Sequence, residues 1–153
     1  MKVEVVKRKS RKGSRTARKA AGSVSISKLK KELDSLVSRY VRQFWAKDGI
    51  CYCYTCNKPL EIKKAHCGHF VPRIYLATRW ELDNLRPQCP GCNLWGNGQL
   101  LDFEENLIEE IGFDRVQQLK EKRNEIWRLT PQWYTDQITL YQNKLKDLDS
   151  LAG

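Results

Sequence analysis

Long apolar runs are missing from this 153-residue chain. None approaches the ~18 residues of a membrane-spanning helix, so no membrane role is expected. Also absent is an apolar core behind the basic N-terminus, which argues against a secretory signal and leaves organelle targeting or nuclear import as weaker readings of that start. Histidine is scarce: His66 and His69 are the only two, so any imidazole chemistry is confined to one short segment. Acids are nearly missing from the first 31 residues, which hold 12 Lys/Arg against Glu4 alone. The other 122 residues hold 16 Lys/Arg and 17 Asp/Glu, so the formal +10 belongs to the N-terminal stretch. No internal repeat is present, and the length suits one domain.

The stretch through Lys7, Arg8, Lys9, Arg11, Lys12 and Arg15 carries too little apolar surface to fold alone. It is expected to be a disordered tail over residues 1–26 that contacts nucleic acid, where each neutralised phosphate releases counterions. A tail that only aids solubility is the plainer alternative.

Cysteine, by contrast, is plentiful. Four of the six form two C-x-x-C pairs, Cys53/Cys56 and Cys89/Cys92, with 32 residues between Cys56 and Cys89. Paired thiolates at this spacing suit one tetrahedral Zn²⁺ site, and four thiolates leave no open position, so the zinc should be structural. Three disulfides would need an oxidising compartment that nothing in the sequence supports. Cys51 and Cys67 are left over as free thiols, Cys51 in a strand.

Elsewhere the pattern is helical. Leu29, Leu33, Leu36, Val37, Tyr40, Val41 and Phe44 recur at three- and four-residue spacing, which predicts a helix capped by Ser27, running to about Lys47 and stopped by Asp48-Gly49. Short strands are expected at 50–54 and 60–62 around the first cysteine turn, and at 69–71 before a loop opened by Pro72. A helix should start past Cys92 with Asn93 in its first turn and end at Gly112, and another should run from Phe113 to about Trp127. Thr130-Pro131 should open the last helix, with Thr as N-cap and Pro at the first helical position. The fold class is thus α+β, with residues 27–153 forming a zinc-containing domain.

Between the cysteine pairs and just past the second, a histidine on a strand followed by an asparagine in a loop and an asparagine opening a helix, His69, Asn84 and Asn93, has the order of the ββα-metal site of HNH nucleases. Such chemistry needs a neutral imidazole to take a proton from water. It also needs a hard divalent cation to stabilise charge on the phosphate and the leaving oxygen. Arg73, Arg79 and Arg86 are nearby candidates for phosphate contacts. Each residue has a plainer reading. His69 can be a hydrogen-bonded structural histidine, Asn93 a helix N-cap, and Asn84 a loop brace. His66 can be a catalytic-metal ligand, a zinc ligand or a surface residue, and Trp80 and Trp95 can stack on unpaired bases or pack inward.

Several motifs together resemble a known family. They are the Cys53/Cys56 pair, Gly68-His69-Phe70, Arg79-Trp80, Asn84, Gln88-Cys89-x-x-Cys92-Asn93, Ile111-Gly112 and the closing Tyr141-Gln142-Asn143-Lys144-Leu145-Lys146-Asp147-Leu148. From about Leu36 to Leu148 the chain is similar to the NinG (Rap) recombination endonucleases of lambdoid phages. The asparagine directly after the last cysteine is also similar to phage endonuclease VII. This resemblance implies a small zinc-stabilised HNH core with flanking helices, acting in the host cytoplasm as an endonuclease on branched DNA such as Holliday junctions or D-loops. It implies Mg²⁺ or Mn²⁺ as catalytic metal, His69 as general base, Asn93 as metal ligand, Asn84 as the residue orienting the His69 loop, and a homodimer on a branched substrate. A non-catalytic zinc-stabilised DNA-binding module, or a general or nicking nuclease linked to DNA packaging, are the rival expectations. Departures stand out beside these matches. Gly68 occupies the place where most HNH enzymes carry a metal-binding Asp, and the NinG family also has Gly there. His66 stands where the NinG family has an acid three residues before the histidine, so His66 is expected to replace it as ligand. No Lys follows Asn93, where Leu94-Trp95-Gly96 stands, and the family's N-terminal extension is expected to be replaced here by the basic tail.

Overall fold

The computed structural model describes residues 25–151. The expected tail to residue 24, with Lys7, Arg8, Lys9, Arg11, Lys12 and Arg15, lies outside the described residues. Helix α1 spans Ile26–Phe44, with Ser25 rather than Ser27 as its N-cap: the Ser25 hydroxyl accepts the Lys28 N–H at 3.3 Å. The first helix therefore begins inside the stretch assigned to the tail. It buries Leu29, Leu33, Val37, Tyr40 and Val41, whereas Phe44 is exposed.

Asp48 and Gly49 do not cap α1, which has already ended. Both have positive φ (50° and 77°), and Lys47 and Ile50 exchange two backbone hydrogen bonds across them. This is the left-handed pair that a two-residue hairpin turn requires. Strand β1 (Ile50–Tyr52) then pairs antiparallel with β2 (Pro59–Glu61) around the first cysteine turn.

Strand β3 covers His66–His69 and pairs antiparallel with β4 (Leu85–Gln88), His66 opposite Gln88 and His69 opposite Leu85. The strand thus ends where the sequence pattern starts it, at His69 instead of Val71. The cause is Asn84, whose side chain accepts the Val71 N–H and donates to the Val71 and Thr78 carbonyls. A buried amide takes the hydrogen bonds that a continuing strand would have used.

Past Cys92 there is no regular helix at first. Gly91–Trp95 form a π-helical turn, and α2 begins only at Leu100 and ends at Ile111. Gly112, at φ 87°, makes the break that allows α3 (Phe113–Lys122) to leave in a new direction. Helix α3 stops five residues before Trp127. Helix α4 (Pro131–Leu151) opens as the sequence predicts, the Thr130 hydroxyl accepting the Trp133 N–H at 3.2 Å.

Three apolar clusters result. Helices α1 and α4 lie side by side, with Arg39 and Gln43 of α1 reaching Asp149 of α4, and enclose Leu33, Val37, Ile138 and Tyr141 together with Leu85 of β4. Helices α2 and α3 close over Phe70 and Val71. The third cluster is the cysteine turns with Cys51, Leu60 and Ala65. The β3–β4 ribbon lies between the first two, and it positions the site. Among the described residues no helix is long and apolar enough to cross a membrane.

Candidate metal centre and phosphodiester site

Each cysteine pair sits in a tight turn that aims two sulfurs the same way. In the first, Asn57 N–H bonds the Cys53 carbonyl at 2.8 Å and Asn57 adopts φ 56°. In the second, the Cys92 N–H donates to Cys89 Sγ at 3.3 Å. The Sγ atoms of Cys53, Cys56, Cys89 and Cys92 all lie within 4.8 Å of one another, and Cys56 and Cys89 are 3.9 Å apart. A tetrahedron of ~2.3 Å Zn–S bonds has S···S edges of about 3.8 Å, so the residues fit the ion. His66 is not part of this cluster. Burial pushes the Cys53 thiol up, but the Thr55 hydroxyl and backbone N–H groups outweigh it and hold it near 6. At Cys92 the Thr55 hydroxyl also pulls the thiol down, yet burial and the three neighbouring sulfurs raise it to about 12. Four sulfurs this close repel as thiolates unless a cation neutralises them.

Strand alternation separates the two histidines. Side chains two apart share a face, so His66 and Gly68 face the zinc turns, and Cys67 and His69 face α1. His66 Nδ1 lies 3.1 Å from the Asn93 side-chain amide, placed there by the π-helical turn. Turning that amide over would present Oδ1. Neighbouring ligands of an octahedral ion with ~2.1 Å bonds are about 3.0 Å apart, so the His66–Asn93 spacing could hold a small divalent cation.

Gly68 has no room to be anything else. A Cβ there would come within 2.7 Å of Gln88 Cδ and 2.9 Å of Cγ. Gln88 is fully buried and donates to the Gly98 carbonyl at 2.8 Å and to Thr55 Oγ1 at 3.3 Å. Its side chain fills the space that an aspartate at position 68 would need. Its Oε1 has no hydrogen-bond partner among the described residues and rests against the glycine.

His69 sits on the opposite face, in a cavity of about 80 Å³ lined by Asp34, Cys67, Arg73, Arg79 and Trp80, room for a few waters. Its Nε2 lies 3.2 Å from the Arg79 carbonyl. A carbonyl only accepts, so Nε2 carries the proton and Nδ1 is left as the basic nitrogen. Burial depresses its pKa to about 4; the Arg79 carbonyl opposes this, and the Arg73 and Arg79 charges add to it. The ring is neutral at pH 7.

The arginines divide. Arg79 is buried and gives its guanidinium to Asp34 at 2.6 and 2.9 Å, and also donates to the Arg73 carbonyl. Arg86 is buried too, paired with Glu110 at 2.8 Å and stacked over Trp45 at 4.9 Å. Both were expected at phosphate; both are internal struts, because a buried guanidinium requires a fixed partner. Arg73 keeps its exposed side chain beside Asp34 at 3.3 Å and remains available to an anion. Of the two tryptophans, Trp80 packs against the helix pair and Trp95 is 85% exposed.

Asp34 has no signal in the sequence beyond being an acid on an amphipathic helix. It accepts from Arg73, Arg79 and the Trp80 indole N–H. Burial raises its pKa, but these donors prevail and hold the carboxyl below its usual range. Through Arg79, whose carbonyl holds the His69 ring, it braces the second histidine.

The described residues form an α+β domain with small antiparallel ribbons, a four-cysteine cluster that could hold a tetrahedral metal and a His–Asn pair beside it. The chain belongs to the family described as Bacteriophage Lambda NinG protein, whose model matches residues 2–150. That match reaches far ahead of Leu36, so the basic N-terminal stretch lies within the family's length instead of replacing part of it. The comparison with curated proteins returned no match, and neither did that with solved structures.

Proposed function

We propose that the protein is a divalent-metal-dependent endonuclease of the HNH type that cuts branched DNA. The observation that carries this reading is the His66–Asn93 pair at 3.1 Å, next to the cysteine cluster and on the ribbon that also carries His69. These two residues would hold a Mg²⁺ or Mn²⁺ ion, which would supply charge stabilisation at the phosphate and the departing 3′ oxygen. The nitrogen ligand favours Mn²⁺ over Mg²⁺ relative to an all-oxygen site. His69, neutral and with Nδ1 free, takes the proton of the attacking water, and the Arg79 carbonyl then favours the imidazolium that forms. Arg73 holds a phosphate oxygen. Because His66 and His69 face opposite sides of β3, the scissile phosphate must lie across the strand's outer edge, which is unpaired among the described residues. Two cuts in one branched substrate call for two copies of the chain, so the active form is a homodimer.

One observation favours a second reading. His69 faces α1 and away from the His66–Asn93 pair, as a structural histidine in a zinc-stabilised DNA-binding module would. Cleavage of a four-way junction and its matching linear duplex, with Mg²⁺ or Mn²⁺, decides between them. Wild type, His66→Ala and His69→Ala at equal zinc content should be compared. Under the nuclease reading His69→Ala abolishes cutting, and His66→Ala raises the Mn²⁺ concentration required by about tenfold or more, the scale of a lost metal-site group. Binding without cutting under either metal establishes the module, and equal cutting of the duplex establishes a general nuclease.

A further inference from the structure

A second cavity opens on the far side of Trp80. It measures about 200 Å³ and is walled by three indoles, Trp80, Trp127 and Trp133, with Glu81, Lys122 and Gln137 at its rim. Resting on the DNA reading above, we propose that this cavity receives one unpaired nucleobase of the DNA substrate. Its size is below the about 300–1,000 Å³ of pockets that enclose larger organic ligands, and it suits a single planar ring system.

The chemistry of the walls narrows the occupant. The Trp80 N–H already serves Asp34, and the Trp127 N–H serves Glu125, so these rings offer π-faces and not donors. Trp80 and Trp133 stand 5.5 Å apart at 45°, held by Tyr134 edge-on to both. A cation is the other ligand that aromatic walls attract. Here that place is taken: the Lys122 ammonium lies 5.4 Å from the Trp127 ring centre. Glu81, the one carboxylate at the rim, is shared between Lys122 at 2.6 Å and Arg115. A second cation would meet Lys122 without a free counter-charge. A neutral base meets aromatic faces, an ammonium and a side-chain amide that can bond its polar edge, the combination that holds unstacked bases elsewhere.

Continuity with the phosphodiester site is the second support. Trp80 lines both cavities, and on the His69 side the Arg79 guanidinium lies 5.4 Å from its ring centre. A strand entering past Arg73 and His69 would therefore bring its neighbouring base to the tryptophans. The selectivity this provides is for DNA with unpaired or easily unstacked bases, as at a branch point, over continuous duplex.

The test uses the full-length, zinc-loaded protein without added Mg²⁺ or Mn²⁺. The probes are a duplex carrying one unpaired 2-aminopurine and the same duplex fully paired. Wild type should quench the unpaired 2-aminopurine on binding. Trp127→Ala should remove the quenching and weaken binding of that probe about tenfold, the range of one lost base–aromatic stack, with the paired duplex changed less than about twofold. Trp127→Phe should restore most of the difference, which a merely structural role for the side chain does not predict. Binding of both probes without quenching, or loss of quenching in Trp95→Ala instead of Trp127→Ala, overturns the proposal and leaves the nuclease reading intact. Failure to bind either probe removes both.

Discussion

Gly68→Ala is the smallest change that interrogates the site. The added methyl group would sit 2.7 and 2.9 Å from Gln88 Cδ and Cγ, so more than the tip of that side chain must move. Gln88 is fully buried, so moving it disturbs packed neighbours. Overpacking of this kind costs about 1–3 kcal/mol. If Gln88 swings out instead, it forfeits its bonds to Gly98 and Thr55, at ~1 kcal/mol each. Either route centres on a loss of about 2 kcal/mol, a Tm reduction on the order of 10 °C for a domain of this size. Gln88→Ala alone loses the same two bonds and leaves a cavity, but it also empties the space above Gly68. The double variant should therefore be more stable than the sum of the singles by about 1–2 kcal/mol, a coupling that a double-mutant cycle isolates. Urea unfolding of the four zinc-loaded proteins measures it. Gly68→Ala as stable as wild type, or single costs that add within ~0.5 kcal/mol, would refute the claim that Gln88 reserves this space and excludes an aspartate ligand.

Three further outcomes are expected. Because the folded pKa of His69 is depressed from 6.5 to about 4, the folded state binds fewer protons than the unfolded one between those values. The stability from its neutral burial is fully present above pH 6.5 and lost as pH falls toward 4, on the order of a few kcal/mol; His69→Gln should flatten urea-derived stability across that window. Arg73→Ala should weaken DNA binding and lower the salt slope by about one, whereas Arg79→Ala should lower Tm by removing the buried partner of the half-buried Asp34, which keeps only the exposed Arg73 and the Trp80 N–H. The wild type should carry one zinc per chain by elemental analysis, and Cys92→Ser should lose both the metal and cooperative melting, since structural zinc contributes about 10–16 kcal/mol, comparable to a whole domain's stability.

Much of this protein is written locally. The paired cysteines declare a tetrahedral site because two thiolates three residues apart can close on one ion, wherever the turn lies. The stripe from Leu29 to Val41 declares a helix because 3.6-residue periodicity needs no partner to be recognised, and Thr130-Pro131 opens α4 by its own chemistry. Tertiary structure decided what depends on distant partners. Whether an arginine meets phosphate or is buried in the fold turned on Asp34, 45 residues before Arg79, and on Glu110, 24 residues after Arg86. Where β3 stops turned on the Asn84 amide reaching back to Val71, and that register set His66 and His69 on opposite faces. Trp80, Trp127 and Trp133 became one cavity only when α4 folded back beside α1. A local pattern states what a side chain can do; burial, charge pairing and strand register, each fixed by residues far along the chain, settle what it faces.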